Sequence, residues 1–304
     1  MSATPLMQQY RDIKSRHQDA ILFFRMGEFY EMFYDDAETA SRALGLTLTT
    51  RNNGAAAEVP LAGVPVKAAA DYVRRLVQQG FRVAICEQVE DPKVAKGIVR
   101  REVIETVTPG VAIADDLLEG ARNNYVAALV PGTGHKGSGT AGGIGEGSGG
   151  KWGLAAADIS TGDLRLAVVA AAELEPLLAR LGPREIVLTG DPLPTSHFPL
   201  PTGALITQRE QWEFDPELAR EDLTRHYGVL SLDGLGLGSD DTLAIGAAGA
   251  LLRYLKELQP AGVSLARPIV ERPEGVLPLD EMTRRNLELV ESLRPSAQGG
   301  GSGS

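Results

Sequence analysis

The chain has 304 residues, 43% of them hydrophobic, with one cysteine and a formal charge of −10 from 30 basic and 40 acidic side chains. That is room for two ordinary domains with real cores, while a single thiol excludes a disulfide framework and fits a reducing cytoplasm. The acidic balance excludes wrapping of nucleic acid by charge alone, because phosphate contacts supply most non-specific affinity; any DNA binding must use a local patch.

The first residues, Met1-Ser2-Ala3-Thr4-Pro5, carry no apolar signal core. Thr4-Pro5 reads as an N-cap followed by proline at the first helical position, with Leu6, Tyr10 and Ile13 on one face. Ile21–Met26 is a buried strand. Asp35–Leu44 is a helix ended by Gly45, and Leu46–Arg51 alternates like a strand. Ala68–Gln79 is an amphipathic helix with Tyr72, Val73 and Leu76 inward and Gly80 as its stop. Arg82–Cys86 and Val99–Val107 read as further strands. Residues 1–115 are therefore an α+β domain, and 116–123 a linker.

The second unit covers residues 124–265. Strands are expected at Tyr125–Val130, Trp152–Ile159 and Asp163–Val169. A helix at Ala172–Leu181 and strands at Glu185–Leu188 and Ala204–Thr207 follow. Helices at Pro216–Tyr227 and Leu243–Leu258 close the unit. The apolar run Ala244–Leu252 is nine residues, too short to span a bilayer. Between the first two strands, residues 131–150 are half glycine, a flexible insertion costly to order. Residues 266–304 hold a helix at Met282–Leu293 and a Gly/Ser tail, which reads as a linker into a larger protein.

Several motifs carry less than their letters suggest. Gly145–Lys151 fits the phosphate-loop spacing, but Trp152 stands where Ser or Thr should hold magnesium, and a strand follows where a helix is required. Gly132–Gly137 fits G-x-G-x-x-G in a tract where glycine makes the match nearly automatic. His17, His135, His197 and His226 have no metal-ligand spacing. His226 ends a helix, where a cation favours the dipole. Cys86 lies in an apolar strand and reads as an inert core thiol. Asp91–Arg101 is locally +3, a candidate basic patch or simply a solvated loop.

Two constellations compete for function. Phe23–Tyr34 holds six of the chain's fourteen Phe and Tyr residues. Phe23 and Phe24 belong to an apolar run and read as core. Phe29 and Glu31 follow Gly27 among acidic neighbours and read as near the surface. On a strand, residues two apart share a side. A flat ring and an acceptor carboxylate would then project together, suited to stacking on a base and accepting a hydrogen from its edge. The rival is Asp158 with Asp163 on a strand-strand-strand-helix-strand unit, the start of a ribonuclease-H-like two-metal site. Glu173 and Glu185 are its only plausible later acids. The bland reading of Asp158-Ile159-Ser160-Thr161-Gly162-Asp163 is a polar hairpin turn, and it is the better one.

The first 125 residues resemble the MutS DNA mismatch-repair family. The blocks are Met7–Tyr10, Phe24-Arg25-Met26-Gly27-Glu28-Phe29-Tyr30-Glu31, Pro60–Pro65, Val83–Gln88 and Thr108-Pro109-Gly110. Weaker similarity continues through Asp158–Gly162 and Asn286–Leu289. The resemblance implies a mixed-sheet mismatch-recognition domain, a connector with a ribonuclease-H-like α/β fold, and the start of a helical core. The family's clamp and ATPase domains lie outside this chain. It implies that Phe29 wedges from the minor groove onto a mispaired base while Glu31 hydrogen-bonds it, with Met26, Arg51, Leu61 and Lys67 as further DNA contacts. The chain itself is then no enzyme and needs no cofactor or metal; ATP and magnesium belong to the full-length protein. The implied partners are mismatched duplex DNA and MutL, the latter through the connector. Full-length members would be homodimers and this segment a monomer, in the cytoplasm and off the membrane. Val66-Lys67 departs from the family's aromatic-His pair, and Glu28 stands for the more usual Asp. The implied function is recognition of mispaired or unpaired bases in duplex DNA. The alternatives are a metal-dependent nuclease on the second domain and, more weakly, a pure docking fragment.

Overall fold

The computed structural model describes residues 4–53, 56–90, 97–111, 123–132, 150–189 and 203–272, without the side chains of 51–53 and 56–58. The expectations for linker residues 116–122, most of the Gly-rich insertion with its two phosphate-loop look-alikes, and the Met282–Leu293 helix with its tail lie outside those residues.

The elements of the first unit are α1 (Pro5–Lys14), β1 (Ile21–Met26), β2 (Phe29–Phe33), α2 (Tyr34–Leu44), β3 (Thr49–Asn53), β4 (Ala56–Pro65), α3 (Ala69–Gln78), β5 (Val83–Gln88) and β6 (Arg101–Val107). They build a six-stranded mixed sheet ordered β3-β4-β2-β1-β5-β6, with β1 and β5 its parallel pair. Thr4 caps α1 by accepting from Met7 N, and Gly45, in the left-handed region at φ 71°, ends α2 as the sequence predicts. Strand alternation sorts the core into two faces. Phe23, Tyr30, Met32 and Ile85 pack with α2 and α3. Leu22, Phe24, Phe33 and Cys86 pack with Met7, Tyr10 and Ile13 of α1. Buried Asp36 anchors that second face, accepting from Tyr10 Oη, Leu22 N and Lys14 Nζ.

β4, the longest strand of this sheet, is not anticipated by the sequence. Its Ala56-Ala57 start, Pro60 and Pro65 all argue against a strand. Here Pro60 lies opposite Thr50, and Pro65 closes the strand opposite Phe29.

The second unit comprises β7 (Val126–Pro131), β8 (Lys151–Asp158), β9 (Asp163–Ala170), α4 (Ala171–Leu181), β10 (Glu185–Thr189), β11 (Leu205–Arg209), α5 (Pro216–Tyr227), α6 (Thr242–Leu258) and β12 (Ile269–Glu271). The sheet order is β11-β10-β7-β8-β9-β12. β7, β8 and β9 form an antiparallel meander, while β10 and β11 add in parallel on the β7 side. This is the ribonuclease-H-like α/β arrangement that the resemblance implies. α4 covers one face through Leu174, Leu177 and Leu178, and α5 with α6 covers the other. The small residues of α6 have a packing reason. A Cβ at Gly249 would lie 2.3 Å from the Ala219 Cβ on α5, and one at Gly153 would lie 2.2 Å from the Leu243 backbone. β12 extends the sheet beyond β9, a three-residue strand too short to leave a periodic signal.

One buried carboxylate joins the two units. Glu185, 0% exposed at the start of β10, accepts from Thr108 at 2.5 Å, Thr207 at 2.6 Å and Tyr254. Arg82, which precedes β5 in the first unit, reaches the same carboxylate at 3.4 Å and also donates to Thr207.

Candidate nucleic-acid interface

β1 and β2 form a tight hairpin. Met26 pairs with Phe29, Arg25 with Tyr30 and Phe24 with Glu31, leaving Gly27-Glu28 as a two-residue turn. Gly27 has φ +59°, as glycine has at the first central position of such a turn. On the other side β2 pairs with β4, placing Pro65 beside Phe29, Gly63 beside Glu31 and Leu61 beside Phe33. Val66 N donates to Glu28 O at 3.0 Å, which ties the turn carrying exposed Lys67 to the hairpin tip. The register therefore puts Phe29, Glu31, Met26 and Leu61 on one face. The Phe29 ring is 48% exposed although large and apolar, whereas Phe24 and Phe33 on the same face are buried beneath α1.

The hairpin is held from both sides. On the face opposite Phe29, Tyr30 donates to Glu87 and Arg25 pairs with Glu87 at 3.2 Å. Arg25 also lies over the Tyr30 ring, 5.6 Å from its centroid. Burial, then the Glu87 hydrogen bond, pushes the Tyr30 hydroxyl up to about 12. On the Phe29 face lies Arg101, only 7% exposed. Its Nε donates to Arg25 O at 2.7 Å and its Nη1 to Val99 O at 2.9 Å and Gln9 Oε1 at 3.1 Å. Nη2 meets Met26 Sδ at 3.7 Å, and the guanidinium lies 4.9 Å from the Phe24 ring centroid. Burial lowers the Arg101 pKa, with Cys86 and then Glu31 working against that shift.

Of the residues singled out from the sequence, Phe29, Glu31 and Met26 lie together and Leu61 sits one pair further along β2, partly buried against the α1 core. Lys67 is exposed just past the end of β4. Arg51 is placed by its backbone alone, opposite Val59 on the edge strand β3. Of the basic stretch Asp91–Arg101, residues 91–96 lie outside the described residues; Arg100 is exposed and Arg101 is buried. Two features escaped sequence reasoning. Arg101 hides in a charge run, and its burial beside Met26 follows only from the register of β5 with β6. Gly63 leaves the space beside Glu31 open. A Cβ there would meet nothing closer than Tyr30 O at 3.5 Å and Glu31 Cγ at 3.8 Å, so packing does not demand glycine. A strand glycine without a packing reason leaves room for close approach by another molecule.

Family models separate the chain into the same two units. Residues 4–116 match MutS domain I and residues 124–267 match MutS domain II. The DNA mismatch repair protein MutS of Solibacter usitatus is 42% identical over 301 residues, covering 98% of this chain and 33% of that protein. Its counterpart in Desulfosudis oleivorans is 43% identical over 306 residues, and that in Chlorobium phaeovibrioides 38% over 301, each with the same coverage. The chain belongs to the MutS family. It spans about a third of the length of the curated relatives it matches.

In the MutS domain II portion, the acids that suggested a nuclease are engaged in the fold. Asp158, 1% exposed, accepts from Asn124 N at 3.0 Å, Ser160 N at 2.9 Å and Ser160 Oγ at 2.6 Å. Asp163 accepts from the Tyr125 hydroxyl at 2.5 Å and Arg165 Nε at 2.8 Å. Glu173 caps α4 through Ala170 N, and Glu185 joins the two units. No cluster of three metal-binding side chains occurs among the described residues, and none of their helices is long and apolar enough to cross a membrane. Cys86 is a buried thiol pushed up to about 12, mainly by burial. His226 lies in the last turn of α5, where burial, with Lys256 second, lowers its pKa.

Proposed function

We propose that this chain senses mispaired or unpaired bases in duplex DNA as part of a mismatch-repair protein. The observation that carries the reading is the half-exposed Phe29 ring on the same strand face as Glu31, beside the open position at Gly63. Phe29 wedges into a base step from the minor groove and stacks on the mispaired base. Such unstacking costs a few kcal/mol in a paired duplex, and less where pairing and stacking are already weakened. Glu31 accepts a hydrogen bond from the base that Phe29 displaces. A carboxylate near phosphates is repelled, so that hydrogen bond must offset the repulsion, and a base still held in a sound pair and stack is not displaced to meet it. Met26 and Leu61 give the wedge an apolar floor. Lys67, just past the end of β4, and Arg51, on the neighbouring strand β3, are the further DNA contacts of this reading.

Docking of MutL on the second domain, homodimerisation, a cytoplasmic setting, and an ATP–magnesium site in the two thirds of such proteins beyond this chain belong to the same reading. In that reading the chain binds DNA without catalysing a reaction. No observation favours the nuclease.

The test is a competition titration of heteroduplex against homoduplex DNA, using the protein at its full natural length. Phe29→Ala should abolish the preference for heteroduplex. Glu31→Gln should narrow the preference and strengthen homoduplex binding. An unchanged specificity ratio across several mismatches for both variants would remove this face from recognition.

A further inference from the structure

Phe29 is half exposed, so its own packing does little to hold the ring in place. Its position follows from the two-residue turn just before it. Both carbonyls of that turn are held. Val66 N donates to Glu28 O from the β4 side, and Arg25 Nε donates to Gly27 O at 2.5 Å. Arg25 is fixed at its other end. Its Nη1 meets Glu87 Oε1 at 3.2 Å, and its guanidinium lies over the ring of Tyr30, its cross-strand partner. Tyr30, 6% exposed, donates to the same Glu87 oxygen and packs beside Phe23, with ring centroids 5.9 Å apart. Glu87 lies on β5, a strand paired on both sides, with β1 and with β6. A chain of contacts therefore runs from a strand inside the sheet, through Arg25, to the carbonyl two residues before Phe29. The side chains that make it lie on the face opposite Phe29 and Glu31.

We propose that Arg25, clamped by Glu87, is a positioning residue for recognition: it fixes the hairpin tip so that Phe29 is already in place when a weakened base step meets it. The inference rests on the reading of Phe29 given above. Insertion of the ring must offset the unstacking of a base step. A tip that also had to be ordered on binding would add the entropy of that ordering to the cost. Fork geometry explains why an arginine stands here. Its donors point in different directions on one rigid plane, so Nε can hold a backbone carbonyl while Nη1 holds a carboxylate. Lysine carries its donors on a single atom and cannot reproduce that fork.

The experiment measures homoduplex and heteroduplex affinities of the full-length protein as wild type, Arg25→Lys, Phe29→Ala and the double variant, with Glu87→Gln alongside. Melting curves establish which variants fold. A 2-aminopurine placed as the mispaired base reports stacking through its fluorescence. Arg25→Lys should weaken heteroduplex binding about fivefold and raise that fluorescence, with homoduplex binding within about twofold of wild type, a coupling usual for residues of one network. In the Phe29→Ala background the same substitution should change heteroduplex binding by less than about twofold. Glu87→Gln removes the charge that fixes Arg25 and should give the same pattern with a loss of about threefold. Equal heteroduplex losses with and without Phe29 would overturn the positioning role. So would equal losses on both duplexes with a shallower salt dependence, which would make Arg25 a phosphate contact, or no loss for either variant. If Arg25→Lys does not fold, Glu87→Gln decides by the same criteria, alone and combined with Phe29→Ala. A Phe29→Ala variant with unchanged discrimination would instead sink the reading of the face itself, whatever Arg25→Lys returns.

Discussion

The first sheet carries α2 and α3 on one face and only the ten-residue α1 on the other, and the β1–β2 hairpin extends far enough to leave Phe29 half in solvent. The second sheet is covered by α4 on one face and by α5 with α6 on the other. Each unit places an acid on a strand next to a turn. In the first, Glu31 is only partly buried and lies beside a glycine that packing does not require. In the second, Asp158 is buried and takes three hydrogen bonds from its own chain. A buried acid is out of a ligand's reach, and a partly buried one is not. The contrast says where function is to be sought, and substitution at each acid should give opposite phenotypes.

The largest effect is expected where the two units meet. Glu185→Ala leaves Arg82, Thr108, Thr207 and Tyr254 without their shared acceptor. Breaking a buried charged network from one side costs about 3–5 kcal/mol. Thermal unfolding should show a large drop, with the two units melting more independently than before. An unchanged melting profile would mean that Glu185 does not anchor the junction.

Asp158→Ala should come next, at about 1–3 kcal/mol, because Asn124 N and Ser160 N lose a buried acceptor. Discrimination of mismatched DNA should survive in whatever fraction folds. The parent chain should leave labelled duplex intact in manganese. Reproducible metal-dependent cleavage that Asp158→Asn abolishes would reverse the comparison and make the second sheet the reactive one.

The first sheet predicts the opposite behaviour. Phe29→Ala should change stability by no more than about 0.5 kcal/mol, as exposed substitutions do. It should remove roughly 1–3 kcal/mol of stacking on a base. If it unfolds the domain, Phe29 is core and the two sheets are alike after all. Gly63→Val sharpens the same point with a smaller effect. Valine suits a strand and its Cβ meets only ordinary contacts, so melting should hold. Heteroduplex preference should still fall, because the added side chain fills the space beside Glu31. Full retention of discrimination would mean that nothing approaches β4 there.

Much of this arrangement was legible in the chain. Pro5, Gly45 and Gly80 mark helix ends because their backbone preferences act locally, and the α6 run shows as small apolar residues. Phe29 and Glu31 were visible as a ring and a carboxylate two apart after a glycine. β4 was hidden by Pro60 and Pro65, whose local preference was overridden by pairing on both sides with β2 and β3. Arg101 and Gly63 were hidden for a related reason. Each meets a distant residue of the hairpin, Arg101 reaching Arg25 O 76 residues away and Gly63 lying opposite Glu31, and only strand register brings such pairs together. β12 joins β9 across about a hundred residues and carries no periodicity of its own.

The smallest expected signal is the absence of one, and it can show which sheet has opened. Cys86 is the chain's single cysteine, buried in the first unit with its thiol pushed up to about 12 by desolvation. At neutral pH almost none of it is thiolate, and the thiolate is the reactive form. A thiol reagent should therefore leave the folded chain unlabelled over hours, with Phe29→Ala and Gly63→Val behaving as wild type. Asp158→Ala should also stay unlabelled while it loosens the second unit, because among the described residues Cys86 packs in a core of first-unit residues such as Met7, Tyr10 and Phe24. Glu185→Ala should raise labelling modestly, since Arg82 immediately precedes the strand that carries Cys86 and loses its partner across the junction. Labelling of Asp158→Ala as fast as Glu185→Ala would show that the two sheets open as one cooperative unit. The comparison between an open recognition sheet and a sealed connecting sheet would then describe their surfaces but not their stabilities.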